Sequence, residues 1–552
     1  MATSAGESTT PGPNEIVPRA EERRVIFASS LGTIFEWYDF YLYAVLAPFF
    51  STLFFPPGND TAALLSSLVA YAAGFLVRPF GAIVFGRIGD LVGRKYTFLI
   101  TITVMGASTF LVGMLPTFQT IGWAAPTILT VLRLTQGLAL GGEYGGAATY
   151  VAEHAPRDKR GRSTSWIQTT ATVGLLIALI VIGLCRVIMT KEAFGGWGWR
   201  IPFLVSLVLL LFSVYIRLKL QESPVFRRMK DEGRGSKHPL TDSFLRYPNN
   251  KFVLLALFGA TAGQAVVWYT GQFQALFFLQ STLKVDPLVA YLLIGISLII
   301  ATPFFVIFGR LSDRIGRLKI ILVGCLLAAL TYFPLFKGLT HYANPALEAF
   351  QQRTKITIAS EPADCAFRFA LMFRGPWTKF TACDNAKDYL TSRGISYTQI
   401  PPVPGKAAVV AIDDVQIAGW EGASKAESEK TAAATLKAKG HPATASSGDI
   451  NYVMVILLLA IMVIYVTMVY GPIAAYLVEM FPAKIRYTSM SLPYHIGNGW
   501  FGGLLPLIYT AWSAASGDIY RGLWYPIIVA VVTVIIGAIF LRETPKNFDI
   551  HA

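Results

Sequence analysis

Long apolar runs separated by short polar segments recur along nearly the whole chain of 552 residues. A helix needs about 20 residues to cross a hydrocarbon layer about 30 Å thick, and runs of that length occur twelve times. The alternating ten-residue segments of a membrane β-barrel do not occur. The pattern therefore predicts an all-α integral membrane protein with twelve transmembrane helices. The predicted spans are residues 25–55, 63–85, 97–115, 124–152, 164–189, 201–217, 252–280, 288–308, 318–337, 452–480, 487–511 and 522–541.

Composition agrees with this class, because 54% of residues are hydrophobic and 14% charged, whereas about a quarter are charged in soluble domains. The first 24 residues are rich in Ser, Thr, Pro, Gly and Glu and hold no apolar core. They are therefore not a cleaved signal peptide. We expect them to form a disordered cytoplasmic tail.

The basic residues that give the net charge of +14 are divided unevenly between the two sides of the predicted membrane. With the N-terminus inside, the predicted cytoplasmic segments hold 27 of the 47 Lys and Arg residues, and the short outer loops hold five. This asymmetry predicts that both termini are cytoplasmic. It also argues against nucleic acid as a partner, because the basic residues follow the membrane topology. The five outer residues are Arg186, Lys191, Arg200, Lys284 and Arg521.

Two segments repeat and divide the chain into halves. "GRIGDLVGRK" at 86–95 recurs as "GRLSDRIGRLK" at 309–319, and "YGGAATYVAEHAPRDKR" at 144–160 matches "YGPIAAYLVEMFPAKIR" at 470–486. The second offset is longer by about 100 residues, which locates an insertion in the second half. The predicted organisation is a tail (1–24), a six-helix half (25–219), a cytoplasmic linker (220–250), helices seven to nine (251–337), an extracytoplasmic insertion (338–449), helices ten to twelve (450–541) and a cytoplasmic tail (542–552).

The insertion is polar and lies between helices nine and ten. "TKITIA", "DYLTSRGISYTQI" and "AAVVAIDDV" read as strand, helix with strand, and strand. They predict a small α/β subdomain, followed by a polar linker over about 420–449. Cys365 and Cys383 both lie here, on a face that permits disulfides. We predict that they pair; two free thiols remain the alternative, because spacing alone does not establish Cα proximity.

Several motifs in order carry a family resemblance: "FEWYDFYLYA", "AAGFLVRPFGAIVFGRIGDLVGRK", "RLTQGLALGGEYGGAATYVAEHAP" and "GPIAAYLVEMFPAKIRYTSMS". Together they resemble the metabolite:proton symporters of the major facilitator superfamily, the branch that includes proline/betaine, α-ketoglutarate, citrate and shikimate permeases. The resemblance implies a protein of the bacterial inner membrane, in contact with lipid, whose partners are a small-molecule substrate and protons. We expect a monomer, because a monomer suffices for this function. It implies no cofactor. The insertion departs from the family pattern.

The repeated loop motif has a physical interpretation. Gly86 allows close helix approach, Asp90 can accept from the N-terminus of an opposing helix, and Arg94 can form charge-assisted bonds. Asp313 and Arg317 repeat this arrangement in the second half. The resemblance implies a cytoplasmic latch that gates transport. Ordinary positive-inside charge would explain the arginines but not the fixed Asp and Gly spacing.

Glu36, Asp39, Arg78 and Arg133 are charged residues inside predicted spans. Such residues are costly in a bilayer and usually face the bundle interior, where they serve ion or proton pathways. Resemblance to sugar-porting members suggests that Asp39 pairs with Arg133 and carries the coupling proton. A structural ion pair is the alternative. Glu143, which follows Arg133 in the fourth helix, is a further candidate for proton coupling.

In the seventh helix, Gln264, Trp268 and Gln272 recur at four-residue spacing with Tyr269 adjacent. A polar and aromatic stripe of this kind can face a central substrate cavity, where Trp covers a quaternary ammonium. Polar packing between helices is the alternative. Further substrate-binding candidates are Tyr43, Arg78, Gln136, Gln168, Tyr470 and Asn498.

The sequence thus favours a secondary transporter that carries a carboxylate or zwitterion into the cell with protons by alternating access. An uncoupled facilitator, and a transporter-derived receptor that uses the insertion, remain alternatives. An enzyme is disfavoured, because the six histidines are dispersed and neither H-E-x-x-H nor G-x-S-x-G occurs. We expect neither a metal site nor a cofactor.

Overall fold

The computed structural model describes residues 19–57, 60–91, 94–142, 148–149, 151–152, 155–218, 238–361, 364–365, 380–405, 407–482 and 485–543. Eight helical runs in these ranges are long and apolar enough to cross a membrane, and a ninth apolar helix, Leu99–Met114, is shorter. The protein is therefore a bundle of membrane-spanning helices.

In the first half, the helix of the first predicted span packs against that of the fifth, and the helix of the third span packs against that of the sixth. Its helices are α1 (Arg19–Phe54), α2 (Asp60–Leu76), α3 (Arg78–Leu91), α4 (Arg94–Met114), α5 (Phe118–Ile121), α6 (Ala124–Gly141), α7 (Arg160–Ile188), α8 (Lys191–Gly196) and α9 (Ile201–Leu218).

The second half begins with a helical run over residues 249–282 that contains three π-helical turns, Leu257–Thr261, Thr270–Gln274 and Phe278–Thr282. Such turns are frequent at functional sites. The helices before the insertion are α10 (Pro239–Phe244), α11 (Asn249–Ala256), α12 (Ala262–Tyr269), α13 (Ala275–Phe277), α14 (Pro287–Ala301), α15 (Pro303–Ile315) and α16 (Arg317–Ala343).

The insertion folds around a four-stranded sheet. Its strands are β1 (Ile356–Ser360), β2 (Thr398–Ile400), β3 (Ala408–Ile412) and β4 (Val415–Ala418), in the order β2-β1-β3-β4. β1 and β2 are parallel, and the other pairs are antiparallel. Its helices are α17 (Pro345–Arg353), α18 (Ala382–Thr391) and α19 (Lys425–Ala438). A disulfide joins Cys365 to Cys383, with the Cα atoms 5.3 Å apart.

Several boundaries differ from the sequence prediction. α1 begins at Arg19, inside the predicted disordered tail of residues 1–24, where Arg, Ala and Glu are good helix formers. α16 continues to Ala343, so the insertion leaves the bundle later than residue 338. The predicted linker over 420–449 contains the helix α19. Good helix formers such as Ala, Lys and Glu dominate this helix, and its buried Ala432 and Leu436 join the core of the insertion.

The chain returns to the bundle after the insertion. Its remaining helices are α20 (Tyr452–Tyr470), α21 (Ile473–Met480), α22 (Arg486–Ile496), α23 (Leu505–Ser516) and α24 (Trp524–Phe540). The halves meet where α7 packs on α14 and α15, and where α3 packs on α22. We call the end of the bundle that carries the insertion the insertion end, and the opposite end, where α16 begins, the latch end.

Glycines bring α2 and α3 against α6. A β-carbon on Gly137 would overlap the carbonyl oxygen of Gly74, and one on Gly141 would overlap that of Arg78. Gly137 and Gly141 form the G-x-x-x-G spacing of close membrane helix contacts. The same packing places the carbonyl oxygen of Arg133 beside Gly74 and that of Arg78 beside Gly141, and so sets how α2 and α3 lie along α6.

Candidate functional site

Two arginines lie fully buried between α1, α2 and α6. The Arg133 guanidinium stands 4.7 Å from the ring centre of Phe40 and 4.6 Å from that of Tyr43. The Arg78 guanidinium stands 4.4 Å from Phe40 and 4.2 Å from Phe75. Aromatic faces stabilise cations. We call this cluster, Phe40, Tyr43, Tyr71, Phe75, Arg78 and Arg133, the arginine chamber.

Neither arginine forms an ion pair with a carboxylate in the part of the chain that the structure describes. Arg133 donates from Nη1 to Gln136 Oε1 at 2.6 Å, and Gln136 in turn donates to Thr109 Oγ1 at 2.8 Å. The Nε and Nη2 atoms of both Arg78 and Arg133 are buried without a hydrogen-bond partner. The chamber therefore holds two cations with unused donors.

Asp39 does not pair with Arg133, contrary to the pairing that the resemblance suggested. Asp39 and Glu36 instead face α4 and α9, beside a small void that they share with Met105, Leu209 and Ser213. Oδ1 of Asp39 is buried and lacks a hydrogen-bond partner. Only the resemblance suggested that pairing, and the rotation of α1 turns the Asp39 carboxyl towards α4 and α9.

Tyr43 does join the chamber. Its hydroxyl donates to the carbonyl oxygen of Ser67 at 3.0 Å, which ties α1 to α2 beneath Arg133. Phe40, Tyr71 and Phe75 are chamber residues that the sequence analysis did not select. The sequence features that could have identified them are the aromatic-rich stretch of α1 and the end of α2, which leads to Arg78.

The seventh-helix stripe divides between two roles. Gln264 exchanges side-chain hydrogen bonds with Asn498 at 3.2 and 3.1 Å, which is polar packing within the second half. Gln272 donates to Thr172 Oγ1 of the first half at 3.3 Å. Trp268 lies in an aromatic cluster with Trp37, Tyr41, Tyr269 and Tyr470 at the centre of the bundle.

The predicted substrate contacts Tyr470 and Gln168 are also buried. The Tyr470 and Tyr494 hydroxyls are 2.8 Å apart, and Gln168 is buried on α7. The aromatic cluster therefore adjoins the arginine chamber from the second half, through the edge-to-face contact of Phe75 with Tyr269 at 5.4 Å.

A charge network joins the halves at the latch end. Asp313 accepts from the backbone N–H groups of Gly161 at 2.8 Å and Arg162 at 3.0 Å, at the N-terminus of α7. Glu479 binds Arg160 at 3.2 Å and Arg317 at 2.5 Å. Glu543 accepts from the backbone of Arg317 and Lys319, both at 2.9 Å. The second-half motif thus binds the N-terminus of α7, a helix of the first half.

Of the matching first-half residues, Glu143 lies outside the described part of the chain, as do the surroundings of Gly86 and the side chains of Asp90 and Arg94.

A family profile described as "Sugar (and other) transporter" matches residues 25–251. The shikimate transporter of Escherichia coli (strain K12) is 35% identical over 323 residues, which are 57% of this chain and 72% of that protein. The α-ketoglutarate permease of the same strain is 34% identical over 61% of this chain and 77% of that protein. The chain belongs to the sugar-transporter-like family of the major facilitator superfamily. It is a multi-pass membrane transporter and not an enzyme, which confirms the resemblance read from the motifs.

Solved structures show the same fold. The proton:xylose symporter XylE bound to 6-bromo-6-deoxy-D-glucose aligns with a TM-score of 0.63 at 15% identity, covering 96% of this chain and 98% of that one. A further relative by sequence, the proline/betaine transporter of Salmonella typhimurium (strain LT2), is 33% identical over 59% of this chain and 67% of that protein.

Proposed function

We propose that this transporter carries a small organic metabolite with a carboxylate, either an acid or a zwitterion, into the cell together with protons. The observation that carries the proposal is the arginine chamber. Its two buried guanidinium groups hold unused donors and lack a carboxylate among the described residues. A substrate carboxylate would supply the missing anion, because guanidinium groups bind carboxylates through paired hydrogen bonds.

Asp39 is the proposed proton carrier. Its buried carboxyl has an oxygen without a hydrogen-bond partner, and an apolar environment favours the protonated form. Rocking of the halves would expose the carboxyl to water, which favours the ionised form. Protonation could thus be linked to the conformation that also exposes or encloses the chamber.

For the topology, we propose twelve spans with both termini cytoplasmic and the insertion outside the cell. Positive-inside charge supports this orientation. The latch end is then cytoplasmic, and its network of Asp313, Glu479, Arg160 and Arg317 would hold the outward-facing state.

The test uses purified protein in liposomes with an inward proton gradient and a pH-sensitive dye inside. Shikimate, α-ketoglutarate, citrate, proline and glycine betaine are added one at a time. Acidification with one carboxylate class, lost in Asp39→Asn while labelled-substrate exchange continues, is the expected result. Asp449→Asn, an exposed carboxylate, serves as the matched control.

Other outcomes separate the alternatives. Exchange without acidification in the wild type would establish an uncoupled facilitator. If no compound is exchanged and none acidifies the lumen, the symport proposal fails and the receptor alternative gains support. Deleting residues 345–448 and repeating the assay shows whether transport needs the insertion.

A further inference from the structure

A cavity of about 580 Å³ lies between the halves at the insertion end. Val45 and Phe49 of α1, Leu68 of α2 and Gln274 of the seventh helical run contribute to its walls, and Ser392 of the insertion also lines it. Sites for small ligands typically measure about 300–1,000 Å³. The cavity therefore has room for a metabolite above the arginine chamber.

One cation in this cavity lacks a counterion. Three described lining residues are charged, and Asp60 and Lys284 interact electrostatically with each other. Arg186 forms no ion pair with the described carboxylates, and its buried Nε has no hydrogen-bond partner. Its guanidinium stands 5.6 Å from the ring centre of Phe49 and 5.9 Å from that of Tyr291, both of which line the cavity.

Two amides in the same cavity also have unused atoms. Oε1 of Gln274 and Nε2 of Gln280 are buried and have no hydrogen-bond partner. A buried polar atom that stays unpaired is unfavourable, because it has lost its hydrogen bonds to water without gaining a partner in the protein. Arg186, Gln274 and Gln280 thus offer donors and an acceptor to a single occupant with both an anionic group and hydroxyl or carbonyl groups.

We propose that this cavity contains a second binding site, which holds the carboxylate of an incoming organic acid on Arg186 before the acid reaches the arginine chamber. The inference takes its substrate class from the proposed function. The site is separate from the chamber, since Arg186 lies in the last turn of α7. The same stretches of α1 and α2 contribute to both sites, since Val45 and Leu68 line the cavity while Tyr43 of the chamber donates to Ser67.

The first test measures the charge preference of the cavity without knowing the substrate. Thr52 is exposed and lines the cavity, so Thr52→Cys gives a reporter in the full-length protein. Cys185 and Cys325 are buried, and the other two cysteines are paired. The rate of labelling is compared for an anionic sulfonatoethyl and a cationic trimethylammonioethyl methanethiosulfonate.

We expect the anion-to-cation rate ratio to fall about threefold or more in Arg186→Gln, because one unit charge is removed, and to be retained in Arg186→Lys. The control, Arg200→Gln, removes a cation that does not line the cavity, so the ratio should stay unchanged. High salt should lower the wild-type ratio by screening. An unchanged ratio in Arg186→Gln overturns the proposal; if that variant does not fold, a wild-type ratio insensitive to salt overturns it.

The second test adds shikimate or α-ketoglutarate during labelling, with glycerol as the uncharged comparison. Protection of Thr52→Cys by a carboxylate, lost in Arg186→Gln, is the expected result. Protection that persists in this variant overturns the Arg186 site even if symport is established. If protection depends on Arg186 but the protein fails the liposome assay, the Arg186 site is supported. Only the proposed symport function is then rejected.

Discussion

The carboxylate of Asp388 accepts a hydrogen bond from the backbone N–H of Thr61 at 2.6 Å, across 327 residues of sequence. It also accepts from the N–H of Asp60 at 3.1 Å. The insertion thus caps the N-terminus of α2, where a negative charge is favourable. Tyr397 ties the insertion to the second half, since its hydroxyl donates to Ala514 and its backbone N–H to Gly517. The insertion therefore contacts both halves.

Removal of this cap should destabilise the protein. Asp388→Ala is expected to cost about 1–2 kcal/mol, because two N–H groups lose their acceptor, and to lower the apparent melting temperature of the purified protein. Asp414→Ala removes an exposed carboxylate of the same subdomain and should leave that temperature unchanged. Equal shifts in the two variants would show that Asp388 does not stabilise the contact.

The latch end gives a prediction about conformation. Asp313→Asn removes the charge that faces the N-terminus of α7 and that pairs with Arg317 at 3.2 Å. We expect the halves to separate more often at this end, since a helix N-terminus favours an anion. Spin labels at the exposed positions of Arg162→Cys and Arg314→Cys would report a larger share of long distances.

The matched control for the latch is Asp158→Asn, which changes an exposed carboxylate that pairs only loosely with Lys159 at 3.8 Å. Its distance distribution should match that of the wild type. A distribution in Asp313→Asn that also matches the wild type would exclude Asp313 as a determinant of closure.

Sequence pattern predicted the elements whose signal is local. The apolar runs indicated the helices, and the repeat located the insertion by a change in offset. The end of the ninth helix was predicted too early, at residue 337 instead of Ala343. Lys337 and His341 interrupt the apolar run at this point, but they do not end the helix, since a long side chain near a helix end can reach the interface while its stem packs.

The site was less predictable, because it depends on how helices rotate against each other. Spacing identified Asp39 and Arg133 as intramembrane charges, but not that Asp39 faces α4 and α9 while Arg133 faces aromatic rings. The contact of Asp388 with α2 joins residues far apart in sequence. Arg186 was assigned to an outer loop, whereas the structure places it in a helix and on a cavity wall.

The glycine contact of α6 gives a steric prediction. Gly137→Ala would place a methyl group on the carbonyl oxygen of Gly74, so α2 and α6 must separate. Alanine is the better helix former by about 1 kcal/mol, so any loss of stability must come from the clash. We expect a loss of about 1–3 kcal/mol or more, measured as a lower apparent melting temperature and reduced yield of monodisperse protein.

Gly195→Ala is the matched control for this clash, because no atom lies within 4 Å of the added methyl group. It should leave the melting temperature unchanged. A Gly137→Ala protein as stable as the wild type would mean that the close approach of α2 and α6 is not required.

Lys284, which lies between two spans, gives a prediction about pH. Burial lowers its pKa to about 8; nearby Asp60 partly opposes this shift, and Arg393 reinforces it. His441 is the other titratable group near Lys284, and burial lowers its pKa as well, so it titrates below this window. Between about pH 8 and the ordinary lysine value near 10.4, the unfolded chain holds a proton at Lys284 that the folded protein has released. Stability should therefore rise with pH across that window.

Lys284→Met removes this titration and the cost of burying the charge. The variant should be more stable than the wild type at about pH 7, and the difference should narrow as pH rises from about 8 towards 10. Apparent melting temperatures across this range measure the effect, and Lys430→Met, at an exposed lysine, should follow the wild-type curve. Parallel curves for Lys284→Met and the wild type would show that Lys284 is not buried as a destabilised cation. In that case its charge would remain in the cavity across this pH range, together with that of Arg186.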